Sequence, residues 1–261
     1  MSKLTESSGV WSLKPSESWS LVETLDFTDY NIGTLSSGNN TIGGLTWEWV
    51  TASGHSATNS SGVGIRQVAT GGGNFSYLGR EISSLITNVK NPVRFLMSAQ
   101  NMDLKVTSSN AGIVLSSSDS PDGTRCPSII VRFNAQSSGA VARKLSSRTE
   151  GTVGSNGSYT NNIAANLGSN PTSAVFEIYV WQASFVARIY EGTTTFPAAE
   201  DPYTVFADQT NYFQGSMAGY GMIPGATIDW FPDLTIGTMV CGGGGQDADV
   251  DWLVYQVEEW G

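Results

Sequence analysis

The run Val175-Phe176-Glu177-Ile178-Tyr179-Val180-Trp181, followed after Gln182-Ala183-Ser184 by Phe185-Val186-Ala187-Arg188-Ile189-Tyr190, decides the fold. β-Branched and aromatic residues dominate both runs, and each has the length of a strand. Two such runs separated by three residues read as a β-hairpin. The connection holds no glycine for the usual left-handed position. The same signature recurs at Leu45–Val50, Val63–Ala69, Val93–Ala99, Gly112–Ser116, Ser128–Phe133, Leu234–Cys241 and Val250–Val257, each bounded by turn formers. Helical spacing is weak throughout; only in Glu81–Lys90 does a turn or two of helix compete with a strand. So many short strands imply a β-sandwich of two packed antiparallel sheets.

Composition agrees. The 261 residues include 30 Gly and 9 Pro, which excludes a coiled coil or helix bundle because these residues are the costliest inside helices. The 8 Trp, 9 Tyr and 10 Phe exclude a disordered chain. The length suits one large β domain. Ser53–Ser61, Gly71–Asn74 and Glu150–Asn170 read as loops. Gly242–Gly245 reads as a flexible turn, since neither a helix nor a lysine follows to make a phosphate loop.

Charge narrows the partners. Thirteen Lys and Arg face 23 Asp and Glu, a net charge of −10, and all the basic residues precede Ile189. No basic stripe is present, so nucleic acid is not an expected partner. No polybasic patch and no run of roughly 20 apolar residues is present either, so membrane insertion is not expected. The N-terminus shows no basic and apolar leader, which reads as synthesis in a cytoplasm. Two cysteines, Cys126 and Cys241, do not make a disulfide scaffold and read as free thiols, although one bridge between them is open.

Residues 1–20 mix Ser, Glu and Lys with isolated apolar residues, too sparse for a regular element. They read as an extended arm ahead of a sandwich over residues 21–261. Val10, Trp11, Leu13 and Trp19 would dock on a neighbouring subunit or on the sandwich itself, with the neighbour favoured.

Several stretches resemble concanavalin-A-like (laminin-G-like) jelly-roll domains. Asp249-Val-Asp-Trp-Leu-Val-Tyr resembles the family's closing strand. Leu25-Asp-Phe-Thr-Asp-Tyr and Gly43-Gly-Leu-Thr-Trp-Glu-Trp are similar to its opening strand and that strand's partner, and Val175–Gly192 to its central pair. Ser8-Gly-Val-Trp-Ser-Leu resembles a short element of tailed-bacteriophage structural proteins. The resemblance implies a virion protein assembled in the host cytoplasm, on the capsid or on a tail or fibre. Its expected partners are other virion proteins, further copies of itself in a homo-oligomer, and a host surface glycan.

Candidate chemistry is sparse. Asp249 and Asp251 share one strand face and would repel unless a cation or hydrogen bonds compensate. Calcium is the one cofactor considered, and solvated carboxylates with no cofactor are the default. Trp252 stands where an EF-hand needs Gly. The single histidine, His55, excludes a multi-histidine zinc site and reads as a solvated loop residue. Glycanases of this class carry E-x-D-x-x-E on one strand. No such run occurs, and Glu48 stands alone between Trp47 and Trp49, so no enzyme activity is expected. Trp47, Trp49, Trp181, Trp230 and Trp252 read as core ahead of a sugar-stacking platform. Trp230 and Phe231, before the strand-stopping Pro232, form the exposed aromatic loop where a glycan would bind. The two functions that follow are a non-enzymatic structural component of a phage particle and a carbohydrate-binding module.

Overall fold

The computed structural model describes residues 4–7, 10–13, 17–51, 54–70, 75–88, 90–104, 109–117, 128–135, 141–148, 171–181, 184–207, 213–216, 234–242 and 247–261. Their strands form two large antiparallel sheets and one small one.

The seven-stranded sheet runs β13-β12-β11-β17-β9-β6-β5. Its members are β5 (Gly38–Ile42), β6 (Leu45–Val50), β9 (Phe75–Glu81), β11 (Asn110–Ser117), β12 (Ser128–Ala135), β13 (Val141–Arg148) and β17 (Leu234–Cys241). The nine-stranded sheet runs β16-β15-β14-β10-β18-β8-β7-β4, with β3 also paired to β18. It comprises β3 (Trp19–Asp26), β4 (Gly33–Thr34), β7 (Ser56–Ser60), β8 (Gly64–Ala69), β10 (Val93–Leu104), β14 (Ser173–Trp181), β15 (Ser184–Glu191), β16 (Phe213–Ser216) and β18 (Ala248–Trp260). One short helix, α1 (Pro202–Ala207), follows β15.

The core lies between the two sheets. Trp47 of β6 meets Tyr255 of β18 edge-on at 5.3 Å, and Phe27 meets Trp47 at 5.1 Å. Aromatic pairs in this geometry add to the gain from burial alone. A buried Gln67 on β8 ties the layers together. Its Oε1 accepts from Trp252 Nε1 at 2.9 Å and from Thr238 Oγ1 on β17 at 2.8 Å, while its Nε2 donates to Ser76 O on β9 at 3.1 Å. Both ends of the amide are satisfied, so its burial fixes register instead of costing an unpaired polar group.

Turn chemistry sets the local geometry. Gly43 and Gly44 lie at φ +62° and +78° between the paired residues Ile42 and Leu45, the two-glycine hairpin turn whose twist matches its strands. At Gly64, φ +92°, an added Cβ would stand 2.2 Å from Trp252 O, so β8 can approach β18 only with glycine there.

The hairpin Val175–Tyr190 is present as β14 and β15, although Ser184 pairs with Trp181, which shortens the connection to two residues. Leu234–Cys241 is a strand over those residues. Glu81–Lys90 resolves into the end of β9 and a single 3-10 turn, Ser83–Leu85.

Two expectations need correction. Ser53–Ser61 is not all loop, because Ser56–Ser60 is β7, paired with β4 and β8. Its apolar content is low, but Ala57 and Asn59 are buried. Asn59 Nδ2 donates to Phe27 O at 2.8 Å and Gly64 O at 3.2 Å, and its Oδ1 accepts from Ile32 N at 3.1 Å. Within residues 1–20, the described residues include regular elements that the composition did not imply. β1 (Leu4–Ser7) and β2 (Val10–Leu13, holding Val10, Trp11 and Leu13) pair as a hairpin and form the two-stranded sheet.

Trp19 does not belong to an arm. It lies in β3 opposite Trp260, packs edge-on to Trp260 at 5.4 Å and Tyr179 at 5.6 Å, and donates from Nε1 to Glu200 O at 2.6 Å. A boundary between residues 20 and 21 therefore cuts a strand.

Candidate ligand-binding site

Alternation along β6 places Trp47 and Trp49 in the core, so Glu48 between them faces the outside of the seven-stranded sheet. Register then assembles its surroundings. Asn39 on β5 and Gly79 on β9 lie opposite Glu48 on its two sides. Gly79 in turn lies opposite Gly237 on β17, and Glu81 opposite Thr235. Two facing glycines leave the floor of the sheet bare of side chains, and a cavity of about 360 Å³ opens there. Asn39, Thr46, Glu48, Gly79, Arg80, Glu81 and Thr235 line it.

Two of the lining side chains are held by bonds to neighbouring residues. Arg80 points the other way along β9 and is held by Glu23 of β3 through Nε–Oε1 and Nη2–Oε2 bonds, both 2.8 Å. Glu81 accepts from Ser83 N at 2.7 Å and from the Ser83 hydroxyl, which fixes its carboxylate at the rim. Glu48 and Glu81 sit on adjacent strands two positions out of register, so their backbones are about 7–8 Å apart. The lining therefore holds two carboxylates, two hydroxyls, one amide and the Arg80 guanidinium, a set that offers both acceptors and donors. Farther along the same face, Tyr77, Val114, Ile130 and Met239 form a buried apolar cluster with Val50 and Phe75 against it. Arg132 lies over the Phe75 ring at 6.0 Å.

The outer face of the nine-stranded sheet is used differently. Arg94, buried on β10, binds Glu177 of β14 at 2.7 Å through Nε, Glu258 of β18 at 2.7 Å through Nη1, and Pro197 O at 2.8 Å. The Tyr190 hydroxyl donates to Glu177 at 2.8 Å, and Arg188 pairs with Glu200. Val205 of α1 packs on Tyr179 and Val186. Residues around Pro197 to Val205 thus strap this face closed over a paired charge network.

The residues singled out from sequence fall as follows. Asp249 and Asp251 do share a face, and Arg66 of β8 compensates them, at 2.8 Å from Asp249 Oδ2 and 3.9 Å from Asp251 Oδ1. Asn101 donates to Asp251 Oδ2 at 2.7 Å. Here a guanidinium supplies the positive charge that the carboxylate pair calls for. Trp230, Phe231 and Cys126 lie outside the described residues. Trp47, Trp49 and Trp252 are core, while Trp181 is half-buried against Tyr203 and Phe206. Cys241 is a buried free thiol whose pKa burial pushes up to about 11. His55 is half-buried rather than solvated, and burial lowers its pKa against an opposing backbone hydrogen bond with Thr70.

Sequence reading treated Glu48 as solitary and missed Glu81, Asn39, Thr46 and Thr235. The alternation of Trp47 and Trp49 already signals that Glu48 faces outward. Nothing local to Glu81 announces that β9 pairs with β6.

By fold the chain is an all-β, concanavalin-A-like jelly-roll sandwich. No protein-family model and no curated protein matches it. Among solved structures, an endo-acting O-glycanase of the human gut microbiota is 12% identical, with 92% of this chain and 99% of that one covered and a TM-score of 0.54. The endo-β-1,3-glucanase of Pyrococcus furiosus is 13% identical over 99% of this chain and 98% of that one, at a TM-score of 0.48. The CBM2 module of the evolved Dit of Lactobacillus casei BL23 phage J-1 is 10% identical over 94% and 97%, at 0.44. At these identities the likeness is one of fold.

Proposed function

We propose that this chain is a non-enzymatic carbohydrate-binding β-sandwich and that the cavity over Gly79 is its glycan site. The observation carrying this reading is the bare glycine floor walled by Asn39, Thr46, Glu48, Glu81 and Thr235. Sugars offer many hydroxyl donors, and a concave site with several converging acceptors orients them. Glu81 serves as an acceptor fixed by the chain's own Ser83, a role that supports binding over acid–base chemistry.

A glycan array probed with the purified protein and with an Asn39→Ala/Glu48→Ala variant tests this. Specific hits lost in the variant, with the thermal transition retained, are the expected result. No hits, or hits indifferent to the variant, overturn the site. Release of reducing ends from any bound polysaccharide overturns the non-enzymatic part.

A second reading, a structural component of a phage particle, has its own support in the β1–β2 hairpin. That hairpin forms a sheet separate from both layers of the sandwich, and a lone two-stranded ribbon is marginal in water without a packing partner. Attachment to another virion protein or to a second copy would provide one. Deleting residues 1–16 should then abolish incorporation into particles without unfolding the sandwich, and unchanged incorporation counts against the role.

A further inference from the structure

We infer that the outer face of the nine-stranded sheet is a recognition surface for an acidic, extended peptide of a partner protein, and that the strap after β15 occupies it as an internal stand-in. Residues 193–200 belong to no strand or helix, and none of them is buried. The side chains beneath are the reverse case, since Arg94, Glu177, Tyr179 and Arg188 are each at most 5% exposed. Polar contacts of defined geometry tie the strap down. Arg94 Nη2 donates to Pro197 O at 2.8 Å, Trp19 Nε1 donates to Glu200 O at 2.6 Å, and Arg188 Nη1 donates to the Glu200 carboxylate. Two main-chain carbonyls three residues apart, with a side-chain carboxylate beside the second, are what an extended peptide presents to a binding surface. Apolar anchors follow in the same segment, with Val205 on Tyr179 and Val186, and with Tyr203 and Phe206 against Trp181.

Lifting the strap costs little, and replacing it leaves the charge unchanged. The exposed side chains of residues 193–200 gain little burial from lying down, whereas the guanidiniums and the carboxylate below them lose hydration. Opening returns that hydration, which puts the strap among segments that open well below the free energy of global unfolding. Glu177 and Glu258 lie on strands and stay with Arg94, while Tyr190 and Glu177 stay beside Arg188. Glu200 leaves with the strap, so a carboxylate from an incoming peptide restores the charge-assisted bond to Arg188. The tethered strap competes from a high effective concentration. A partner's apparent affinity is therefore scaled by the fraction of molecules that stand open.

The probe is a fluorescein-labelled peptide of residues 193–206, read by polarisation against the full-length protein and its Glu200→Ala variant. Weak binding to the parent is expected, with about tenfold tighter binding to the variant, whose own strap competes less well. The same peptide carrying Glu200→Gln should bind the variant about tenfold more weakly, because it keeps the shape and loses the charge-assisted bond. Circular dichroism of both proteins establishes that the comparison is between folded states. A glutamate-specific protease under native conditions should cut the parent after Glu200 while Glu177 in β14 stays intact. Equal affinity for parent and variant overturns the inference, as does no binding to either or a peptide indifferent to Glu200→Gln. Resistance at Glu200 equal to that at Glu177 overturns it too, since the strap then leaves the sheet only when the whole fold opens. Displacement of the probe by an oligouronate at lower concentration than by unlabelled peptide assigns the face to an acidic sugar and overturns the peptide assignment.

Discussion

Arg80 and Glu23 join the two layers of the sandwich through parallel hydrogen bonds of 2.8 Å each, one residue on the seven-stranded sheet and the other on β3 of its partner sheet. Both side chains are mostly shielded from water. Charge-assisted bonds of this kind contribute about 1.5–3 kcal/mol. Glu23→Ala and Arg80→Ala should each lower stability by about 2 kcal/mol, and the double variant by clearly less than the sum. A double-mutant cycle in urea measures this, and strict additivity would show that the pair does not couple the layers.

Glu177 presents a sharper case. It is fully buried and holds Arg94 at 2.7 Å and Tyr190 at 2.8 Å. Removing its carboxylate strands the buried guanidinium of Arg94, a change that typically costs about 3–5 kcal/mol. Glu177→Ala should therefore shift the urea midpoint far more than Glu23→Ala does. A smaller shift would mean that Glu258 and Pro197 O satisfy Arg94 unaided.

The beginning of the sandwich can be located by truncation. Trp19 packs on Tyr179 and Trp260, whereas β1 and β2 pair with each other. Deleting residues 1–16 should leave the melting temperature within a degree or two. Trp19 is half-buried, so Trp19→Ala should destabilise by about 2 kcal/mol, less than the roughly 3–5 kcal/mol of a tryptophan emptied from a core. Equal effects of the two changes would contradict this placement of Trp19.

Alkaline pH should unfold the protein in a defined window. Burial, then the negative charge of Glu177, pushes Tyr179 and Tyr190 above the usual tyrosine value of 10. Burial and then Glu23 do the same to Tyr255. Cys241 stands at about 11 against an ordinary 9. Each group has a folded pKa above its unfolded one and is neutral when protonated, so its contribution is complete below the unfolded value. It is lost as pH rises from there towards the folded value. Melting temperature should hold to about pH 9 and fall above it. Tyrosinate absorbance should show Tyr179, Tyr190 and Tyr255 ionising together with loss of the β-sheet signal, not before it.

The sequence made the strands legible where apolar residues cluster, as in Val175–Trp181 and Leu234–Cys241, because period and burial coincide there. It hid β7, whose Ser-Ala-Thr-Asn-Ser carries no apolar pattern. That strand is held by the Asn59 side chain bonding to Phe27 O and Gly64 O, contacts made by residues remote from its own run. The candidate site was hidden for a related reason. Glu48 and Glu81 lie 33 positions apart in the chain, and only the pairing of β6 with β9 brings them to one cavity. The place of Trp19 in a strand is hidden because its chain neighbours are polar, whereas its partners, Tyr179 and Trp260, come from far downstream.

β18 lies inside the nine-stranded sheet, with β10 along one side and β3 and β8 along the other. On the ribosome those three neighbours emerge well before residues 248–260 exist to join them. The nascent polypeptide therefore carries open strand edges through most of its synthesis, and such edges invite intermolecular pairing. Closure of the larger sheet is a late event, completed only when its keystone strand is delivered. Premature termination ahead of Ala248 would yield aggregate in place of a smaller working protein.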